Sequence, residues 1–321
     1  MRFKEFLFVA LAMPSSKPAI EILTFHLVES DIEQKSVEIW SEKARIYKTE
    51  NLMVLDNLTT DIYSDSSNSA FRAKGKIGVF SSANQDFTIF GDSELTSPDN
   101  YRFKTQDLVF NAKTKTLDSK SAVEGGPNSI NSGGFILKGT GLSVDTKKSA
   151  YEIKNQVTAQ QITSGKAESA MVIESESAQI EPKINSAEFK SDVKVKSKEM
   201  TLSGQNMKVE FAKDSQSIKK LFLSGITTKK KPDLEFIQAQ LPDLKLKANG
   251  LSVNFNQNGE FESSEAIGQA SGATNDGVEL WANKLSSIRE GGITRIELSE
   301  KVRILAQGRD ATCEAAIFYP A

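Results

Sequence analysis

Hydrophobic and polar positions alternate along most of this chain, and the alternation slips at regular places. In Leu244–Phe255, Leu244, Leu246 and Ala248 share one face of an extended run, with Lys245 and Lys247 on the other. The phase slips at Asn249 and Gly250 and resumes as Leu251, Val253 and Phe255. A one-residue slip inside a strand predicts a bulge or tight bend, and Gly accepts backbone geometry there that other residues avoid. The unit is therefore an apolar anchor followed by apolar residues five and seven positions later.

The unit recurs. Ile39 goes with Ala44 and Ile46, Phe103 with Leu108 and Phe110, Leu137 with Leu142 and Val144, Ile173 with Ala178 and Ile180, and Leu202 with Met207 and Val209. Ala73 with Gly78 and Phe80 is a weaker copy, and Leu280 with Leu285 a partial one. The anchors Ile39, Ala73, Phe103, Leu137, Ile173, Leu202, Leu246 and Leu280 are spaced by 34, 30, 34, 36, 29, 44 and 34 residues. That is an internal repeat. Each repeat carries a second extended segment: Leu52–Tyr63, Phe87–Leu95, Thr116–Val123, Tyr151–Ala159, Ile184–Val195, Ile218–Thr227, Glu260–Ala270 and Ile293–Leu305. Two strands and two turns cannot bury an apolar face alone, so the repeats must stack on one another. The interval of 44 residues places an insertion at Leu234–Pro242.

No sustained helical stripe is present, so the predicted class is all-β. Two architectures accommodate the repeats. One is a set of repeated antiparallel strand pairs forming an open, twisted β-jellyroll, with two sheets facing each other over an apolar interior. The other is a right-handed parallel β-helix, whose coils need shorter strands than these; two long strands in about thirty residues favour the first. The inward phase contains Ile39, Ile46, Phe103, Phe110, Leu137, Val144, Leu202, Val209, Leu246, Val253 and Leu280. These residues line either an open groove or a filled core, and the same residue types serve both.

Composition narrows the chemistry. The 321 residues suffice for one long or two ordinary domains, and the formal net charge of -2 disfavours nucleic acid as a partner. There is one histidine, His26, and one cysteine, Cys313, so a multi-histidine metal site and an internal disulfide are excluded by counting. His26 reads as a core-edge or surface residue, Trp40 as a cap on one end of the sheet core, and Cys313 as buried packing in an apolar closing strand, Ala311–Tyr319. The Gly-rich stretch from Glu124 to Gly134 lacks the Lys-Ser/Thr ending of a phosphate loop. Asp92 and Glu94 sit two apart on one strand, in a pattern of carboxylates scattered on outward faces that suits a solvated exterior better than a catalytic pair. The N-terminal stretch, with Arg2 and Lys4 before the apolar run Phe6–Met13, has the form of an export signal or anchor, and is too short to span a bilayer alone. Pro14–Pro18 reads as a linker, and Ala19–Val28 as a first strand or short helix.

The repeats resemble the periplasmic bridge proteins of lipopolysaccharide export, the LptC and LptA (OstA-like) family. The likeness lies in Trp40–Tyr47 (WSEKARIY), Phe90–Leu95 (FGDSEL), Tyr101–Phe110 (YRFKTQDLVF), and Lys120–Val123 followed by Phe135–Leu142 (FILKGTGL). These segments cover roughly residues 37–145 in the LptC-like half; residues 168–318 are more diffusely similar to LptA-like repeats. The resemblance implies a signal- or anchor-like segment and linker at 1–36, an LptC-like β-jellyroll at 37–165 and a second, LptA/OstA-like β domain at 166–321. It implies a non-enzymatic carrier without a cofactor, in the periplasm, with the N-terminal segment as an attachment to the inner membrane. Its inward residues would hold the acyl chains of lipopolysaccharide and pass them from the inner to the outer membrane. Its partners would be a membrane transporter component and other bridge-type β-jellyroll subunits. Two other classes compete: a structural or adhesive β-repeat protein without a lipid ligand, and an enzyme.

Overall fold

The computed structural model describes residues 13–30, 35–63, 70–127, 134–162, 171–212, 217–225 and 236–320. Among them are twenty-one strands, and the only helical element is a single 3-10 turn at Pro182–Ile184. The strands are β1 (Ile20–Ser30), β2 (Lys35–Tyr47), β3 (Leu52–Tyr63), β4 (Ala70–Ser81), β5 (Phe87–Thr96), β6 (Tyr101–Asn111), β7 (Thr116–Pro127), β8 (Gly134–Asp145) and β9 (Ala150–Ile162). There follow β10 (Met171–Ser175), β11 (Ser177–Glu181), β12 (Ser186–Ser197), β13 (Thr201–Phe211), β14 (Ile218–Ser224), β15 (Ile237–Gln240), β16 (Leu244–Ala248) and β17 (Gly250–Phe255). The last are β18 (Phe261–Thr274), β19 (Glu279–Glu290), β20 (Ile293–Ala306) and β21 (Arg309–Phe318). Residues 1–12, which contain nearly all of the apolar run at the N-terminus, lie outside the described residues, as do Thr227–Asp233 and 163–170, where the two β domains were expected to meet. No helix among the described residues is long and apolar enough to cross a membrane.

The chain divides into two compact units, residues 1–128 with 138–153, and residues 129–137 with 154–321. The strand pairings are antiparallel: β1 to β7 pair in chain order, as do β12 to β14 and β18 to β21, and β9 pairs with β10. This is a bent antiparallel meander of jellyroll type, and the parallel β-helix is excluded by the pairing.

Each long strand is bent near its middle into two arms, and the bend explains the sequence pattern. In the first strand of each repeat the anchor is followed, two residues on, by a small residue: Ser41, Gly75, Thr105, Gly139, Ser175, Gly204, Ala248 and Ala282. The corner comes next, and the inward phase resumes at anchor plus five. At the corner the two arms converge, leaving room for little more than a methyl or hydroxyl. An added Cβ at Gly75 would lie 2.2 Å from Ile89 Cγ2. Two equivalent serines close the corner in the same way: Ser41 Oγ donates to the Lys43 carbonyl at 3.2 Å, and Ser175 Oγ to the Ser177 carbonyl at 2.9 Å.

The second strands turn the corner differently. Inward residues four apart, such as Ile89 and Ser93, Phe189 and Val193, Ala266 and Ala270, or Leu298 and Val302, flank two residues of left-handed backbone. Those pairs are Gly91 and Asp92, Ser191 and Asp192, Gly268 and Gln269, and Glu300 and Lys301. The ladder skips at the same places, between Phe90 and Ser93, Ile267 and Ala270, and Ser299 and Val302. A bulge of this kind re-aims the strand without ending it.

Two details differ from expectation. Gly250 does not take a left-handed backbone; its value is the missing Cβ, which would lie 2.9 Å from Ile267 Cγ1, while Gly268, against Asn249, has φ +73. The insertion also sits elsewhere. Ile237, Ala239 and Leu241 are buried, and β15 pairs with β13 through Leu202 and Ala239. β14 and β15 are the two arms of one bent strand, because β13 pairs with β14 through Met207–Phe211 and with β15 through Thr201–Ser203. The additional residues fall in sequence between those arms, from the end of β14 at Ser224 to the start of β15 at Ile237; of these, 226–235 lie outside the described residues.

This packing predicts opposite outcomes at two equivalent corner positions. Gly75→Ala should lower stability by about 1–3 kcal/mol through overpacking against Ile89. Gly204→Ala, where the nearest side-chain atom would be 3.5 Å away, should be neutral or stabilise by up to about 1 kcal/mol. Urea unfolding midpoints of the two variants check the contrast.

Candidate functional site

The interior between the arms is built from the inward phase. In the first unit Tyr151, on the arm containing the start of β9, reaches across to Phe71, Tyr101 and Phe103 on the facing arm. The ring centroids are 6.5, 5.6 and 5.2 Å apart. Burial pushes the Tyr101 phenol up to about 12 and drives that of Tyr151 higher still. Both are therefore neutral at any ordinary pH and serve as apolar wall. The Tyr151 hydroxyl donates to Asp99 Oδ2 at 3.2 Å, which gives the polar tip its partner. Phe87 stacks on Phe110 at 4.9 Å on the other arm. In the second unit Phe135 meets Phe211 edge-on at 5.8 Å.

Ten of the eleven inward residues named from the sequence are buried: Ile39, Phe103, Phe110, Leu137, Val144, Leu202, Val209, Leu246, Val253 and Leu280. Ile46 is half-buried, because its partner on β1 is Ile20, itself exposed at the end of the sheet. In this structure the inward side chains close on one another.

Two open cavities lie on the outer face. In the second unit a concavity of about 870 Å³ is lined by Lys194, Lys196, Lys245, Lys247, Gln238 and Trp281 among others. Leu202 and Leu246 belong to its floor, but their side chains, 2% and 4% exposed, are turned to the interior. The first unit has one of about 670 Å³, lined by Asp92, Glu94, Lys104, Glu124 and Lys138. Its three carboxylates are paired: Asp92 with Lys76, Glu94 with Arg102, and Glu124 with Lys138 at 3.3 Å. Asp92 and Glu94 are thus neutralised surface groups. The polar outer face was not singled out from the sequence, although a signal exists: Lys-x-Lys straddles the inward residue at Val195 and again at Leu246.

The two terminal strands are edges. β21 is exposed along nearly its whole length, with Ile317 61% exposed. Cys313 is exposed too, contrary to the expectation of buried packing. β21 has no layer over either face, so the alternation that buries residues elsewhere buries none here. At the other edge His26 stacks on Trp40 with centroids 5.3 Å apart and puts Nε2 2.9 Å from Glu38 Oε1. Glu38 also accepts from Lys35 Nζ at 3.1 Å and from Tyr63 Oη at 3.0 Å. His26 is therefore an edge residue in an ion-pair cluster, and Trp40 is half-buried against it. Among the described residues no group of three or more His, Cys, Asp and Glu is placed to hold a metal ion.

Residues 15–163 match the model of a family described as lipopolysaccharide-assembly, LptC-related. Among solved structures, the chain is similar to LptH of Pseudomonas aeruginosa, the LptA homologous periplasmic component of the lipopolysaccharide transport device. That likeness has a TM-score of 0.34 and 14% sequence identity over 43% of this chain and 94% of that one, too low to support an argument. No curated protein sequence matches the chain.

The Glu38 cluster has a consequence in pH. The His26 hydrogen bond, followed by those of Lys35 and Tyr63, holds the Glu38 carboxyl below its ordinary range, against burial, which acts the other way. A carboxylate with a lowered folded-state pKa contributes stability above its unfolded value and loses it as the pH falls through the folded one. Glu38→Gln should therefore melt below the parent protein at pH 7, and the gap should close below about pH 4. Thermal unfolding of both proteins across that range checks it.

Proposed function

We propose, from the match of residues 15–163 to the LptC-related family of lipopolysaccharide assembly, that the chain holds the acyl chains of lipopolysaccharide between the two arms of its bent sheet and passes them along a periplasmic bridge. The match supports a role in lipopolysaccharide transport in the periplasm, as a non-catalytic carrier. The observation that supports the finer reading is the facing of two apolar arm surfaces across one interior, seen where Tyr151 meets Phe71, Tyr101 and Phe103. Acyl chains would enter by parting the arms, which hinge at the corners. Each chain removed from water then gains about 25 cal/mol per Å² of apolar surface, which offsets the packing that the separated arms give up. The inward residues Ile39 to Leu280 are the proposed lining.

The proposal extends to domains and partners. An LptC-like jellyroll at 37–165 and a second β domain at 166–321 would act in series, with the N-terminal segment holding the chain at the inner membrane. The β1 edge would meet a membrane transporter component, and the β21 edge another bridge-type subunit by adding a strand to the ladder.

A photo-crosslinking residue at Phe110 or Val144 should capture lipopolysaccharide in cells. The same probe at Lys104 or Ser143, on the opposite face, should capture little, because successive side chains of a strand point to opposite sides. No capture at either inward site, with the protein folded and exported, would leave a scaffold with a filled interior.

The edge gives a second outcome. Backbone N–H groups of adjacent residues in a strand point to opposite sides. Of Ala316→Pro and Ile317→Pro, one should therefore remove an outward donor while leaving the β20 ladder intact. That variant should fold as the parent does and lose binding to bridge-type subunits by at least about tenfold, read by co-purification and titration. Undiminished binding by both variants would remove β21 from the assembly.

A further inference from the structure

The cavity of about 870 Å³ in the second unit lies on the face of the sheet opposite the apolar interior. Its shape follows from the register. Lys194 on β12 is opposite Ser203 on β13, which is opposite Gln238 on β15, which is opposite Lys247 on β16. One row over, Lys196, Thr201, Gln240 and Lys245 are matched in the same way. Strands lie about 4.8 Å apart and residues i and i+2 about 7 Å apart. Four ammonium groups therefore rise from the corners of a rectangle of about 14 by 7 Å. Between them is a floor of two hydroxyls and two carboxamides.

The rows continue to Ser271 and Trp281, and to Ala273 and Glu279. Arg303 packs over the Trp281 ring, 5.0 Å from its centroid, and is itself held by Asp310 at 2.7 Å. At the opposite end of the cavity is Glu174.

Alternating lysines on a strand are ordinarily a solvated face. Three observations set these apart. They surround a concavity, where field lines from like charges focus. Lys196, Lys245 and Lys247 have no carboxylate within ion-pairing distance among the described residues, while Lys194 is 3.0 Å from Asp192. And four lysines face two cavity carboxylates, Glu174 and Glu279, on a chain whose net charge is -2.

We infer that this outer face is a binding site for a phosphorylated oligosaccharide. The lysine corners match phosphates carried on separate sugars, since ammonium groups bind phosphate as point charges. The hydroxyl and amide floor supplies donors and acceptors for sugar hydroxyls, and the Trp281 ring an apolar surface for a pyranose. The site needs no acyl chain and is independent of the interior assigned to lipid.

The test uses the full chain carrying Trp40→Phe, which leaves Trp281 as the single tryptophan. The probes are a disaccharide bisphosphate without acyl chains, the same disaccharide without phosphates, inorganic phosphate and an acidic peptide, each read by Trp281 fluorescence and calorimetry. The bisphosphate should bind at least about tenfold more tightly than each of the other three, and more weakly as salt rises from about 50 to 200 mM. Lys196→Gln/Lys245→Gln/Lys247→Gln, substitutions at exposed side chains, should lose at least about tenfold in affinity with unchanged circular dichroism. Glu174→Gln/Glu279→Gln should gain severalfold. Equal binding of the phosphate-free sugar, inorganic phosphate or the peptide would overturn the inference. So would no binding, or a triple variant that binds as the parent does.

Discussion

A strand has two faces and a period of two, and this protein asks each strand to wrap one interior with both of its halves. Turning the corner without correction would send the second half's apolar residues outward. The structure meets that constraint in two ways. First strands drop one residue of alternation beside a small side chain, as at Ser41 or Gly204. Second strands insert two residues of left-handed backbone, as at Gly91 and Asp92. The repeat length, the arm lengths and the facing of Tyr151 on Phe103 all depend on these corners.

The corners also decide where the fold tolerates change. β14 ends at Ser224 and β15 begins at Ile237, so the extra sequence falls between the two arms of one bent strand and not within either. The buried arms on either side, from Leu221 to Leu223 and from Ile237 to Leu241, keep their pairing.

A sheet bent in this way has two chemically separate surfaces. The inner one is apolar and holds the proposed track for acyl chains. The outer one carries the charges, mostly in pairs in the first unit, while around the cavity of the second Lys196, Lys245 and Lys247 have no ion-pair partner among the described residues. The same alternation produces both, so single strands contribute to the apolar interior and to the inferred recognition face: Leu246 to the first and Lys245 and Lys247 to the second.

The strands and their inward residues were legible in the sequence, because burial on one face writes a period-two pattern directly into the residue types. Ten of eleven inward positions are buried for that reason, and the slip at Asn249 is a real break between β16 and β17. The likeness of residues 15–163 to the LptC-related family was legible in the order of WSEKARIY, FGDSEL and the strands that follow. Other features depended on which strands become neighbours, which a local pattern does not encode. Ala311–Tyr319 has the alternation of a core strand and yet is an edge, so Cys313 is exposed. Leu234–Pro242 has the spacing of an insertion and yet contains β15. The four lysines meet in one rectangle only because β12, β13, β15 and β16 pair in that register. Alternation specifies which face a residue takes; what that face meets is decided by pairing across tens of residues, and that belongs to the tertiary structure alone.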